Sequence, residues 1–280
     1  MPNYYVPPFT QWGSQSFKRR AICLHGLTSS SQVWCHVAEG YLVTAPDLIG
    51  HGIARHGSSS DGYTIDAYAN DLVPLLSTKF QYNTLIGHSF GGPIALALVP
   101  LMLEAGAQFV HVVLVEPALE LSNSSLHEMR IESVDEVTNV KGWQTYMREN
   151  PQWQERDAKV KSFGAQTCDP FTVIQVCDQN SPWSFTRLLP PRCPNIKITI
   201  LASDPNLRPY FTPAEMQALR TTRPDIHTIV VRGSSHAIPR EAPNVIVDAA
   251  VRDMFLSDVQ MRTVHDDVET CKACGYARRK

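Results

Sequence analysis

The segment Gly87-His88-Ser89-Phe90-Gly91-Gly92 constrains this chain more than any other. It follows the short apolar run Thr84-Leu85-Ile86 and precedes Gly92 to Ala105, in which apolar residues return every three or four positions. A strand that turns into a helix within so few residues forces the central residue into a strained backbone conformation. Side chains at the flanking positions would collide with the neighbouring strand and helix, so glycine is needed there. The pattern G-x-S-x-G in this context predicts Ser89 standing at the carboxyl edge of a sheet.

The rest of the chain agrees with an α/β class. Ala21 to Leu24, Tyr41 to Ala45, Val110 to Val115, Ile196 to Leu201 and Ile226 to Val231 are short and nearly continuously apolar, as strands buried on both faces should be. Helical periodicity covers Ile65 to Lys79, Gly92 to Ala105, Pro213 to Arg220 and Val245 to Leu256. This alternation predicts a mostly parallel twisted sheet with helices on both faces. Between Pro117 and Pro194 no comparable strand occurs, and aromatics are scattered through polar helical sequence. The expected organisation is a core over 1–117 and 195–258, an inserted helical cap over 118–194 and a polar tail over 259–280. Within the cap, Trp143 and Trp153 lie deep in helical sequence and are expected in its own small core. Trp183 and Phe185 follow Pro182 near the cap's end, where the chain returns to the sheet edge, and are expected to touch an apolar substrate.

Composition excludes several partners. With 25 Lys+Arg against 27 Asp+Glu there is no electrostatic footprint for nucleic acid or an anionic membrane. No apolar run approaches the roughly 20 residues that span a bilayer, and the first residues do not resemble a signal peptide. Seven cysteines, an odd number, argue for a reducing compartment, so a cytoplasmic location is expected. Cys271-x-x-Cys274 has no second pair at finger spacing, and phosphate-binding glycine loops are absent, so neither metal nor nucleotide cofactor is expected. A homodimer is compatible with this composition.

A serine hydroxyl becomes a nucleophile when a base takes its proton. His236 fits, because Arg232-Gly233-Ser234-Ser235-His236 is a small-residue loop after the last strand-like run. Two carboxylates are placed to orient it: Glu116, directly after Val110 to Val115, and Asp204, shortly after Ile196 to Leu201. The backbone N–H groups of Leu27 and Phe90 are candidate donors to a tetrahedral oxyanion. His25 beside them is read first as a turn-stabilising residue and second as a substrate contact.

His25-Gly26, then Asp47-Leu48-Ile49-Gly50-His51-Gly52, then the Ser89 turn follow in an order that resembles the alpha/beta hydrolase superfamily over residues 20 to 256. The resemblance implies a cap between the family's sixth and seventh strands. It also implies the chain order Ser, acid, His. The commoner family position for the acid is that of Asp204, whereas zearalenone-lactonase-like enzymes take it from the end of the sixth strand, and Val115-Glu116-Pro117 looks like that arrangement. Glu116 is favoured here, with Asp204 as the alternative. The segment before Arg20 is too short for two full strands, so one edge of the family's sheet is expected to be trimmed. Serine rather than aspartate at position 89 argues against the dehalogenase and epoxide-hydrolase branches. The implied activity is that of a serine hydrolase acting on an ester, lactone or thioester of a hydrophobic small molecule. Carbon–carbon bond hydrolysis, a lyase or cyclase reaction, and a slow-turnover receptor remain as alternatives.

Overall fold

The computed structural model describes residues 5–38, 41–57, 62–76 and 81–251. Its strands are β1 (Phe9–Trp12), β2 (Arg20–Leu24), β3 (Leu42–Pro46), β4 (Thr84–His88), β5 (Val110–Val115), β6 (Ile196–Ala202) and β7 (His227–Val230). They form one sheet in the order β1-β3-β2-β4-β5-β6-β7. Every pairing is parallel except the edge pair β1 and β3. β1 had no clear signature in the sequence. Phe-Thr-Gln-Trp is a strand because it pairs with Val43 to Pro46, a tertiary contact that local pattern does not encode.

Alternation along each strand feeds two cores. Ile22, Leu24, Val112 and Leu114 pack on one face with Tyr68, Ile94 and Leu98, while Ala21, Cys23, Val113 and Val115 pack on the other with Trp34, Ile246 and Ala250. The helices that supply these partners are α1 (Ile65–Asp71) and α2 (Gly91–Glu104) on the first face and a helix over 243–251 on the second. The helix expected over Ile65 to Lys79 is regular only as far as Asp71 and then tightens into a 3-10 turn at Val73–Leu76. Pro74 is the cause, since it has no N–H and its ring excludes the carbonyl four residues back. The remainder of that expectation, the second half of Val245 to Leu256, the polar tail and the Cys271/Cys274 pair all lie outside the described residues.

Between β5 and β6 the chain forms α3 (Asn123–Thr138), α4 (Trp143–Glu149), α5 (Glu155–Gln166) and α6 (Pro170–Gln179). Caps set their boundaries: the Ser122 hydroxyl accepts from Ser125 N at 3.1 Å, and Asp169 Oδ1 accepts from Thr172 N at 2.6 Å. After β6 come α7 (Pro213–Thr222) and the short α8 (Ile238–Glu241). No described helix is long and apolar enough to cross a membrane.

Candidate active site

Parallel register brings the ends of β4 and β5 side by side, with His88 opposite Val115. One residue further on, both strands end in the left-handed region: Ser89 at φ 51° and Glu116 at φ 46°. That conformation costs a non-glycine residue about 1–3 kcal/mol and persists only where the surroundings enforce it. Here the ladder continues through it, with Ser89 N donating to Val115 O at 3.0 Å and Glu116 N to Leu201 O at 2.7 Å. The flanking glycines are required by packing. A Cβ on Gly87 would lie 2.3 Å from Gly91 O, and one on Gly91 would lie 2.3 Å from Leu24 O.

Glu116 is fully buried, and three donors converge on its carboxylate. Ser203 N reaches Oε1 at 3.1 Å, while Tyr210 N at 2.9 Å and His236 Nδ1 at 3.2 Å reach Oε2. Asp204, the alternative, does not meet His236. Its Oδ2 accepts from Gly233 N and its Oδ1 from Asn206 N and Nδ2, each at 3.0 Å. These bonds hold its carboxyl below the usual aspartate range and make it the staple of the turn at Gly233, whose φ is 75°. Of the two expected carboxylates, Glu116, the favoured one, is brought to His236: β6 and β5 end in register, so the carboxylate one step past β5 lies under the histidine loop.

Three residues without a sequence signal position that loop. His88, inside the pentapeptide, donates from Nε2 to the His236 carbonyl at 2.8 Å. Burial, with the charge of His236 as a second cause, holds the His88 pKa well below the ordinary histidine value, so it acts as a neutral donor. Glu241 accepts from Ser235 N at 2.6 Å, Ser234 Oγ at 3.0 Å and Ser235 Oγ at 2.8 Å. The Tyr210 ring lies 4.5 Å from the His236 ring, centroid to centroid.

The loop after β2 approaches the same point. A Cβ on Gly26 would lie 3.2 Å from Ser89 Cβ, which places the neighbouring Leu27 beside the serine. Phe90 opens α2, so its N–H belongs to the unsatisfied first turn of a helix. Ser89, His236, Leu27 and Tyr210 share a cavity of about 450 Å³.

A family model for alpha/beta hydrolases matches residues 21–249. The chain belongs to the alpha/beta hydrolase family. Lipase LipV of Mycobacterium tuberculosis is 32% identical over 114 residues, covering 39% of this chain and 41% of LipV. The 3-hydroxybutyrate-oligomer hydrolase of Cupriavidus necator is 30% identical over 98 residues, 33% of each chain. The chain thus spans less than half the length of these curated relatives. Among solved structures, an esterase of Thermogutta terrifontis superposes with a TM-score of 0.63 at 20% identity, over 89% of this chain and 93% of its own. The N-formylmaleamic acid deformylase of Pseudomonas putida gives 0.65 at 20%, over 86% and 94%. These two are likenesses of fold.

In this alpha/beta hydrolase the inserted helices supply a different cavity wall from the one expected. Trp183 and Phe185 are 2% and 3% exposed and belong to the main core. Trp183 Nε1 donates to Ala118 O at 2.8 Å, and its ring packs against Phe90 and Phe185. The isolated bridge between Glu120 and Ser184 draws this segment back against the chain leaving β5, inward from the cavity. The wall from the insert is instead built from Tyr146, Trp153, Glu136 and Lys161, with Arg240 of α8 beside them. Trp153 thus faces the cavity as well as its expected cluster with Tyr146 and Ala158. His25 is fully buried. It donates from Nδ1 to Gly26 O at 2.8 Å and accepts at Nε2 from Leu48 N at 3.1 Å, so both nitrogens are spent on the turn and neither on a substrate. Among the described residues no group of three His, Cys, Asp or Glu gathers in metal-binding geometry.

Proposed function

We propose that this alpha/beta hydrolase cleaves a carboxylic ester, lactone or thioester through Ser89, His236 and Glu116. The observation that carries the reading is the bond from His236 Nδ1 to the buried Glu116 carboxylate at 3.2 Å, with His236 and Ser89 on one cavity. Glu116 fixes the imidazole so that Nε2 takes the Ser89 proton as Oγ attacks the carbonyl. The tetrahedral oxyanion accepts from the N–H groups of Leu27 and Phe90, each worth roughly 3 kcal/mol of barrier by the behaviour of such donors elsewhere. Collapse returns the proton from His236 to the leaving oxygen or sulfur and leaves an acyl-Ser89. Water, deprotonated by His236, then releases the acid and restores the serine.

Likeness to a lipase and to a hydroxybutyrate-oligomer hydrolase supports an ester over a carbon–carbon bond. The wall narrows the substrate. Charged Lys161, Glu136 and Arg240 stand beside Tyr146 and Trp153, and this mixture suits a small ester bearing polar groups better than the hydrophobic small molecule that the resemblance implied. The test is labelling by a fluorophosphonate together with turnover of p-nitrophenyl acetate. Wild-type protein should label once and turn over, and folded Ser89→Ala should do neither. Full turnover by folded Ser89→Ala would remove the nucleophile assignment.

A further inference from the structure

Ser89 and His236 stand on loops at the sheet edge, whereas Leu27 belongs to a loop that the inserted helices grip. Thr28, next to Leu27, is a buried β-branched residue at φ 56°, a conformation it holds only under external constraint. Its hydroxyl is fully used. It donates to Glu136 Oε2 on α3 and accepts from Lys161 Nζ on α5 at 3.0 Å. Lys161 also donates to Glu136 Oε2 at 2.7 Å, and Tyr146 OH on α4 donates to Glu136 Oε1 at 3.2 Å. The ion pair is largely shielded, with side chains 17% and 23% exposed. Burial alone would raise the Glu136 pKa, but the charge of Lys161 and the three bonded donors outweigh it and hold the carboxyl below its usual range.

Backbone packing tightens the same junction. A Cβ on Gly164 of α5 would lie 2.8 Å from both Ser29 Cα and Thr28 O, so only glycine lets the helix rest on the loop. On its other side the loop meets Ser89 at Gly26. The loop is thus pressed between the nucleophile turn and α5, with α3 and α5 bonded to it directly and α4 held to the same carboxylate through Tyr146.

We infer that Thr28, Glu136 and Lys161 are positioning residues that lock the Gly26–Ser29 loop to α3 and α5, so that the inserted helices set the place of the Leu27 N–H. The inference rests on the reading of Leu27 as an oxyanion donor. The insert then takes part in the chemical step as well as in substrate choice. Such a lock should act on kcat, because an oxyanion donor is worth most when charge develops and least toward the neutral ground state.

Thr28→Val keeps shape and strain while removing the hydroxyl, and Thr28→Ser keeps the hydroxyl. With p-nitrophenyl acetate, Thr28→Val should lower kcat about tenfold, as small misplacements of catalytic groups do, with KM changed less than about twofold. Affinity for a trifluoromethyl ketone, whose serine adduct carries the oxyanion, should fall by the same factor. Thr28→Ser should recover most of both. The double variant Glu136→Gln, Lys161→Met removes the pair together, which avoids stranding one buried charge, and should show the same kcat pattern even if Thr28→Val folds poorly. The lock is overturned if Thr28→Val and the double variant keep kcat and ketone affinity, or if their losses fall on KM alone. Ser89→Ala separates the two readings. If it retains turnover, the hydrolase reading fails and the lock with it; if it is inactive while the lock variants match wild type, only the lock fails.

Discussion

Glu116 and Asp204 differ in what each already holds. Glu116 accepts three donors in a buried site, one of them His236, whereas Asp204 spends one oxygen on Asn206 in its own turn and the other on the Gly233 N–H. An amide at position 116 would turn an NH₂ toward donors and leave the imidazole free to take the wrong tautomer. Glu116→Gln should therefore lower kcat about 10⁴-fold, the scale seen when a triad loses its tautomer control. Asp204→Asn still accepts at one oxygen and should cost less than about tenfold. Steady-state kinetics of both variants with one ester decides the matter, and a severe Asp204→Asn beside a mild Glu116→Gln would reverse the assignment.

Among elements, two of the three tryptophans in the insert depart from what sequence position suggested: Trp183 leaves the expected substrate wall for the main core, and Trp153 keeps its expected cluster but also faces the cavity. Trp183 fills the main core and Trp153 faces the cavity while donating from Nε1 to Glu241, the residue that holds the His236 loop, at 3.0 Å. Trp183→Ala should cost about 3–5 kcal/mol of stability, as large-to-small core changes do. At about 2–4 °C per kcal/mol for a domain of this size, the melting temperature should fall by roughly 6 °C or more, with kcat per folded molecule little changed at low temperature. Trp153→Ala should instead lower kcat/KM about tenfold, through lost contact with the substrate and a loosened Glu241, with a smaller thermal shift. Thermal melts beside kinetics test this, and a catalytic loss confined to Trp183→Ala would return that residue to the substrate wall.

For the whole molecule, burial of neutral imidazoles sets an acid limit. His25, His51 and His88 are buried, and desolvation lowers the pKa of each, that of His51 to about 3. Unfolded, they take up protons near pH 6.5. Below that value the unfolded state binds more protons than the folded one, so stability is complete above about pH 6.5 and is lost as pH falls toward the folded values. Each group contributes a slope of at most about 1.4 kcal/mol per pH unit. Urea unfolding should give a free energy several kcal/mol lower at pH 5.5 than at pH 7.5. A flat profile across that range would show that these histidines are charged, or solvated, in the folded state.

Local pattern alone fixed the class of fold, the turn at Ser89 and the candidacy of His236, because glycine spacing, apolar runs and a strand-to-helix turn are short-range features that report the backbone directly. It also placed Glu116 at a strand end. It did not separate Glu116 from Asp204, since that depends on the register of β5 against β6 and on which carboxylate lies under a loop more than 100 residues later in sequence. Nor did it mark β1, His88, Thr28, Glu136 or Lys161, whose roles exist only as contacts between distant segments, or Glu241, whose bonds to Ser234 and Ser235 are local but follow no recognised motif. Tertiary structure decided those, together with the burial of Trp183 in the main core and the exposure of Trp153 to the cavity. An aromatic side chain is equally at home in a core or on a cavity wall, and only the packing around it determines which.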